Sequence, residues 1–244
     1  MLPAGEPPGF PLCPKCPYAR AGPAWICVQC AGRTLEAIAL RACPICSQRL
    51  EGDSPCRNRL CRDSKRRIER IDAIAYLSGP LQEKIHSYKY EGLIGWSVIF
   101  ARLLVGWLDA RAAGDAPGLI VANPTYTDAA ADQPGHIERI IAAASIEDYE
   151  GRWAFDTGSP AAIIKTKPTG RSARQNAAGK WANAAALRTA LAIPDPARTH
   201  GNHVLVFDDV CTTGWQLNAV ADCLLTDGQA ARVTALVLAR APWK

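Results

Sequence analysis

No stretch of the sequence is both long enough and apolar enough to read as a membrane span. The nearest is "LIGWSVIFARLLVGWL", from Leu93 to Leu108. It falls short of the roughly 20 apolar residues a bilayer core demands and carries Arg102, so a buried amphipathic helix is expected. The first residues, "MLPAGEPPGFPLC", lack a basic segment leading into an apolar run. A secretory signal is therefore not expected, and the chain reads as a soluble cytoplasmic protein. Internal repeats are also missing, beyond the paired cysteine motifs near the N-terminus. The 244 residues leave room for one sizeable α/β domain plus something small.

A uniform charge excess is lacking too. Through Arg70 there are 12 Lys/Arg against 6 Asp/Glu, and beyond it 16 against 17, giving the net +5. The densest basic run is "RNRLCRDSKRRIER", Arg57 to Arg70. Such a run is usually a solvated face or linker, and less often a nucleic-acid patch.

Cysteine is abundant in one place. Eight of the ten cysteines lie between Cys13 and Cys61, as "CPKC", "CVQC", "CPIC" and "CRNRLC". In a reducing compartment such thiols seldom remain as disulfides. Two-residue spacing lets both sulfurs of a knuckle face one ion, and four thiolates close a tetrahedral structural zinc site. Two zinc ions would use all eight and would hold together a segment with little apolar surface of its own. Sequential ribbons would group Cys13, Cys16, Cys27 and Cys30, then Cys43, Cys46, Cys56 and Cys61; a cross-braced arrangement would exchange the middle pairs. The gap lengths favour the sequential grouping. Metallation brings the first third from +6 to about +2, so only local clustering, not net charge, speaks for nucleic acid. Cys211 and Cys223 stand apart and read as small core or loop residues.

Beyond Arg70, apolar strands alternate with helical patterns. "IDAIAYL" (Ile71 to Leu77), "LIVANPTY", "AAIIKT", "HVLVFDD" and "RVTALVLAR" read as strands. Helices are expected from Leu81 after a Gly79-Pro80 turn, from Leu93 to about Arg111, over "GHIERIIAAASIED", over "SARQNAAGKWANAAALRTAL" up to Pro194, and over "GWQLNAVADCLLTDG". Gly151 to Pro160 and Pro168 to Arg171 read as loops. The alternation argues for a doubly wound parallel sheet.

One stretch asks for a chemical explanation. "VLVFDDVCTTGWQL", Val204 to Leu217, runs from a buried strand into Asp208 and Asp209, and then into a small-residue turn opening a helix near Trp215. Ligands of open parallel sheets bind beyond the carboxyl ends of the strands. Two acids there accept from sugar hydroxyls, while the backbone of Val210, Cys211, Thr212, Thr213 and Gly214 at a helix N-terminus donates to an anion. Acceptors beside donors describe a site for a ribose 5-phosphate. A capped helix explains one acid but not two. Mutual repulsion of the pair should leave each acid contributing little to stability in the absence of ligand.

"VLVFDDVCTTG" resembles the signature of type I phosphoribosyltransferases, which bind phosphoribosyl pyrophosphate (PRPP). The wider layout, with N-terminal cysteine motifs, "YLSGPLQEKIHSYKYEG", the DD-x-x-TTG loop and a final strand ending in "LAR", resembles the ComF family of phosphoribosyltransferase-like proteins linked to competence for DNA uptake. The resemblance implies an α/β, phosphoribosyltransferase-type doubly wound parallel sheet over 71–244, preceded by a zinc-ribbon segment with two four-cysteine sites over 13–70 and a flexible 1–12. It implies transfer of ribose 5-phosphate from magnesium-bound PRPP to a nitrogen acceptor, with Asp208 and Asp209 on the ribose hydroxyls and Val210 to Gly214 on the 5-phosphate. Asn123, with Pro124 and Thr125, would meet pyrophosphate by position; the family's usual Arg-Gly-Phe-Asn-Gln stretch is replaced by "ANPTYTDAAADQPGHIERI". Lys165, Lys167 and Arg171 of "KTKPTGR" are candidates for pyrophosphate oxygens. His136 and Arg139 read as surface residues, and His86 and Lys89 as a helix face at the domain boundary. The other expectation is a binding module without turnover, keeping a PRPP or nucleotide pocket for regulation or for handling single-stranded DNA.

Overall fold

The computed structural model describes residues 34–111, 115–126, 134–169 and 177–243. Four strands form one parallel sheet: β1 (Ile71–Tyr76), β2 (Leu119–Ala122), β5 (His203–Cys211) and β6 (Arg232–Arg240), in the order β1-β6-β5-β2. β6, "RVTALVLAR", is buried at eight of nine positions because helices cover both faces. On one face, α2 (Gly79–Tyr90), α3 (Trp96–Arg111) and α4 (His136–Glu147) pack on Ile120, Leu205, Phe207, Leu236 and Leu238. On the other, α5 (Ala177–Arg188) and α6 (Trp215–Thr226) pack on Val121, Val204, Val206, Val233 and Val237. The sheet is thus wound on both sides, as the alternation predicts.

The apolar stretch at Leu93 is a buried helix. Arg102, 2% exposed, lies inside α3 and pairs with Glu147 of α4 at 2.7 Å. No described helix is long and apolar enough to cross a membrane.

Three expectations need correction. Gly79 and Pro80 do not form a turn; they open α2, because proline has no N–H to lose in the first turn. "AAIIKT" yields only β3 (Ile164–Lys165), which leaves the parallel sheet and pairs antiparallel with β4 (Leu191–Ala192). The strand expected to end at Asp209 continues to Cys211, because β6 carries the ladder on to Arg240 after β2 has stopped opposite Phe207.

The cysteine segment has apolar anchors of its own. Leu60, in a one-turn helix α1 (Arg59–Arg62), and Ile68 are fully buried beside Ile71, Leu217 and Val220.

Candidate functional site

Since β2 ends at Ala122, the edge of β5 is uncovered from Asp208 onward. Asn123, the first residue past β2, fills that place. Its N–H bonds Phe207 O at 2.7 Å, and its Nδ2 donates to Asp208 Oδ2 at 2.7 Å. Its Oδ1 is buried with no partner among the described residues.

Successive strand residues face opposite ways, and the two acids meet different surroundings. Asp209 lies on the face of Leu205 and Phe207, 4% exposed at its side chain. Lys89 Nζ of α2 approaches its Oδ2 at 2.6 Å, and His136 Nε2 of α4 approaches the same oxygen at 3.0 Å. Among the described residues no donor meets Oδ1. Burial alone would raise the Asp209 carboxyl, but His136 and Lys89 outweigh it and hold it below the usual carboxylate range. Burial would likewise lower Lys89, and the charges of Asp209 and Asp208 raise it instead. Asp208 has no cation in contact among the described residues. Burial first, and the charge of Asp209 second, push it up to about 7. The expected repulsion is therefore real but unequally divided: Asp209 stays ionised and Asp208 carries the cost.

Thr212, Thr213 and Gly214 turn the chain into α6. Gly214 has φ 83° and no side chain caps the helix. A Cβ there would lie 2.6 Å from Ile71 Cδ1 and 2.8 Å from Leu60 Cδ2, so glycine is required twice over. Among the described residues no acceptor meets the amides of Thr212, Thr213, Gly214, Trp215 or Gln216. The residues Thr212 to Gln216 line a small cleft together with Asp208 and Val210. Cys211 is 2% exposed and Cys223 fully buried, as expected of core thiols.

The other predicted residues are placed differently. Thr125 uses both its amide and its hydroxyl on Glu138, at 2.9 and 2.8 Å. Lys165 lies on β3 opposite Leu191. No hydrogen bond or ion pair joins Lys165 or Lys167 to the acids among the described residues, and Arg171 lies outside them. Lys89 and His136 were read only as helix-face residues, yet both reach Asp209. Lys89 had a signal: it continues the buried stripe of Leu81 and Ile85 at helical spacing. So did His136, a basic residue at the positive end of α4 with no side-chain cap.

Cys43, Cys46, Cys56 and Cys61 form one cluster, with all four sulfurs within 4.8 Å of one another. The Cys43–Cys61 and Cys46–Cys56 sulfurs are 3.8 Å apart. Zinc–sulfur bonds of about 2.3 Å in a tetrahedron put sulfurs about 3.8 Å apart, so the set fits zinc. Hydrogen bonds from Cys43 and Cys61, then the Arg240 charge, pull Cys46 far below the thiol range. Burial pushes Cys56 up to about 11, and Cys43 and Cys46 push Cys61 higher still. Sulfurs this close cannot all ionise without a dication between them. The cluster follows the sequential grouping; Cys13, Cys16, Cys27 and Cys30 lie outside the described residues.

Part of the basic run is used internally, while Arg57, Arg59, Arg62 and Lys65 are exposed. Arg66 donates to Ile68 O and Cys61 O, Arg67 pairs with Asp222, and Arg70 pairs with Asp72 and Asp115. No family model and no curated protein matches the chain.

Proposed function

We propose that this is a ComF-like protein of phosphoribosyltransferase fold, which binds Mg-PRPP or a related ribose 5-phosphate and transfers the phosphoribosyl group to a nitrogen acceptor. One observation carries the reading: paired acids of opposite environment stand a few residues before an uncapped helix turn whose amides have no acceptor among the described residues. The parallel sheet and the four-cysteine cluster support the architecture expected of such a protein.

Ribose hydroxyls donate to Asp209 Oδ1 and to Asp208, while Lys89 and His136 keep Asp209 fixed through its other oxygen. The 5-phosphate accepts from the amides of the turn and from Thr212 and Thr213. As the C1–oxygen bond breaks, its electron pair leaves with pyrophosphate and positive charge builds on the ribose. The acceptor nitrogen then bonds C1 and gives its proton to the departing pyrophosphate or to water. The carboxylates oppose that positive charge from fixed positions, so the catalysis is positional and electrostatic. Magnesium bound with the substrate would neutralise charge on the pyrophosphate. We extend the zinc assignment to a second four-cysteine site at Cys13, Cys16, Cys27 and Cys30.

A second reading, a PRPP- or nucleotide-binding module without turnover, is favoured by Thr125. One of the residues expected on pyrophosphate is committed to Glu138. Single-stranded DNA is the weakest partner, given the internal use of Arg66, Arg67 and Arg70.

The test is a binding titration with Mg-PRPP beside pyrophosphate release over a panel of nucleobases. Binding with release for one base supports the transferase. Binding with no release selects the module. No binding at all refutes both.

A further inference from the structure

The turn is held from behind by the cysteine segment. Arg240, fully buried at the end of β6, donates Nη1 to Cys211 O at 2.7 Å and also to Thr212 O. The same guanidinium donates Nε to Cys46 O at 2.7 Å, and its Nη2 lies 3.8 Å from Cys46 Sγ. Asn58, 1% exposed and set between Cys56 and Cys61, donates Nδ2 to Thr213 O at 3.0 Å. Three consecutive carbonyls of the turn are thus bound to the immediate surroundings of the cysteine cluster.

This fixes where the amides point. In a trans peptide the N–H lies opposite the preceding C=O. Capturing the carbonyls of Cys211, Thr212 and Thr213 on one side therefore directs the N–H groups of Thr212, Thr213 and Gly214 to the other. These are three of the amides with no acceptor among the described residues. Arg240 suits the task because its planar fork meets several acceptors in one geometry.

We propose that zinc in the Cys43–Cys46–Cys56–Cys61 site sets the phosphate affinity of the Thr212–Gly214 turn, with Arg240 and Asn58 as the positioning residues. The inference rests on the ribose 5-phosphate reading above. The metal fixes Cys46 and the loop carrying Asn58; these fix the carbonyls; the carbonyls aim the amides. Linkage makes the effect reciprocal, so a bound phosphate must tighten zinc by the same factor.

The experiment uses the full chain in zinc buffers of stepped free zinc, with and without saturating ribose 5-phosphate. Protection of Cys43, Cys46, Cys56 and Cys61 from alkylation is followed peptide by peptide, which separates this site from other cysteines. Calorimetry gives ribose 5-phosphate affinity at high and low zinc. The expected result is a fall of ~5-fold or more in the free zinc needed for half protection when the sugar phosphate is present, and an equal gain in sugar-phosphate affinity with zinc. Arg240→Lys keeps the charge and loses the fork. It should retain zinc protection, weaken ribose 5-phosphate by about tenfold and remove the linkage. Should that variant fail to fold, the wild-type linkage decides alone. Binding of ribose 5-phosphate with unchanged zinc half-protection overturns this inference and leaves the ribose-phosphate site standing. No binding by the zinc-loaded wild type overturns both.

Discussion

Replacing each of the two adjacent acids by asparagine should change stability in opposite directions. Asp208 titrates near 7 in the fold against about 4 in an unfolded chain. A raised carboxyl costs nothing below pH 4, where it is neutral in both states. The cost grows by about 1.4 kcal/mol per pH unit as the unfolded chain ionises and levels off above pH 7, at roughly 4 kcal/mol as a ceiling. Asp208→Asn removes it, and a flip of the Asn123 amide would bring its Oδ1, which has no partner among the described residues, to the new side-chain NH2. The variant should melt above wild type at pH 8 and by a smaller margin at pH 5. Asp209 is depressed, so its contribution is present above pH 4 and lost on acidification through its folded pKa. Asp209→Asn strands Lys89, whose side chain is only 22% exposed. Breaking a buried pair costs about 3–5 kcal/mol; the partial exposure of Lys89 and the nearness of Asp208 reduce this to about 2 kcal/mol. The midpoint should fall by ~4–8 °C for a chain of this size. Thermal unfolding of zinc-loaded wild type and both variants at pH 5 and pH 8 is the assay. Shifts of one sign for both variants, or an Asp208→Asn gain that ignores pH, would refute the unequal division of charge.

Other outcomes follow from the same geometry. Gly214→Ala forces a left-handed alanine against Ile71 and Leu60; it should cost at least about 1–2 kcal/mol and weaken ribose 5-phosphate by tenfold or more in a titration. Binding of ribose 5-phosphate at pH 7 should release protons as Asp208 ionises, read by calorimetry in two buffers, and Asp208→Asn should release fewer. Metal analysis of the full chain should find two zinc ions, and chelation should lower the melting midpoint; a stoichiometry below one would remove the assignment of zinc to the cysteine cluster. Glu147→Ala removes the carboxylate that pairs with buried Arg102 of α3 and should lower the midpoint of denaturant unfolding.

The sheet could be read in the sequence wherever burial on both faces produced continuous apolar runs, as in "VLVF" and "TALVLA". β4 could not, and β3 was legible as a strand but not in its antiparallel pairing, because two-residue pairings carry no periodicity. The acids and the turn were legible because their chemistry is local, held within Asp208 to Gly214. What surrounds them was not, since Lys89 and His136 reach Asp209 across 120 and 73 residues of chain. Local pattern also misjudged the two acids as equals, because the difference between them lies in which helix each one faces. The grouping of Cys43, Cys46, Cys56 and Cys61 followed gap length; the attachment of that knuckle to β6 through Arg240 had no sequence signal.

The strand order has a kinetic consequence. β1 lies beside β6, about 160 residues further along the chain, and β6 is inserted between β1 and β5. A nascent chain therefore displays the apolar edge of β1 for most of its synthesis, while β5 and β2 can already pair. Closing so long a loop must precede the contacts that reward it. Folding should be slow, with a sticky intermediate lacking its central strand. Until β6 enters and brings Arg240 with it, the cysteine knuckle meets the Thr-Thr-Gly turn only through Asn58 and Leu60 among the described contacts.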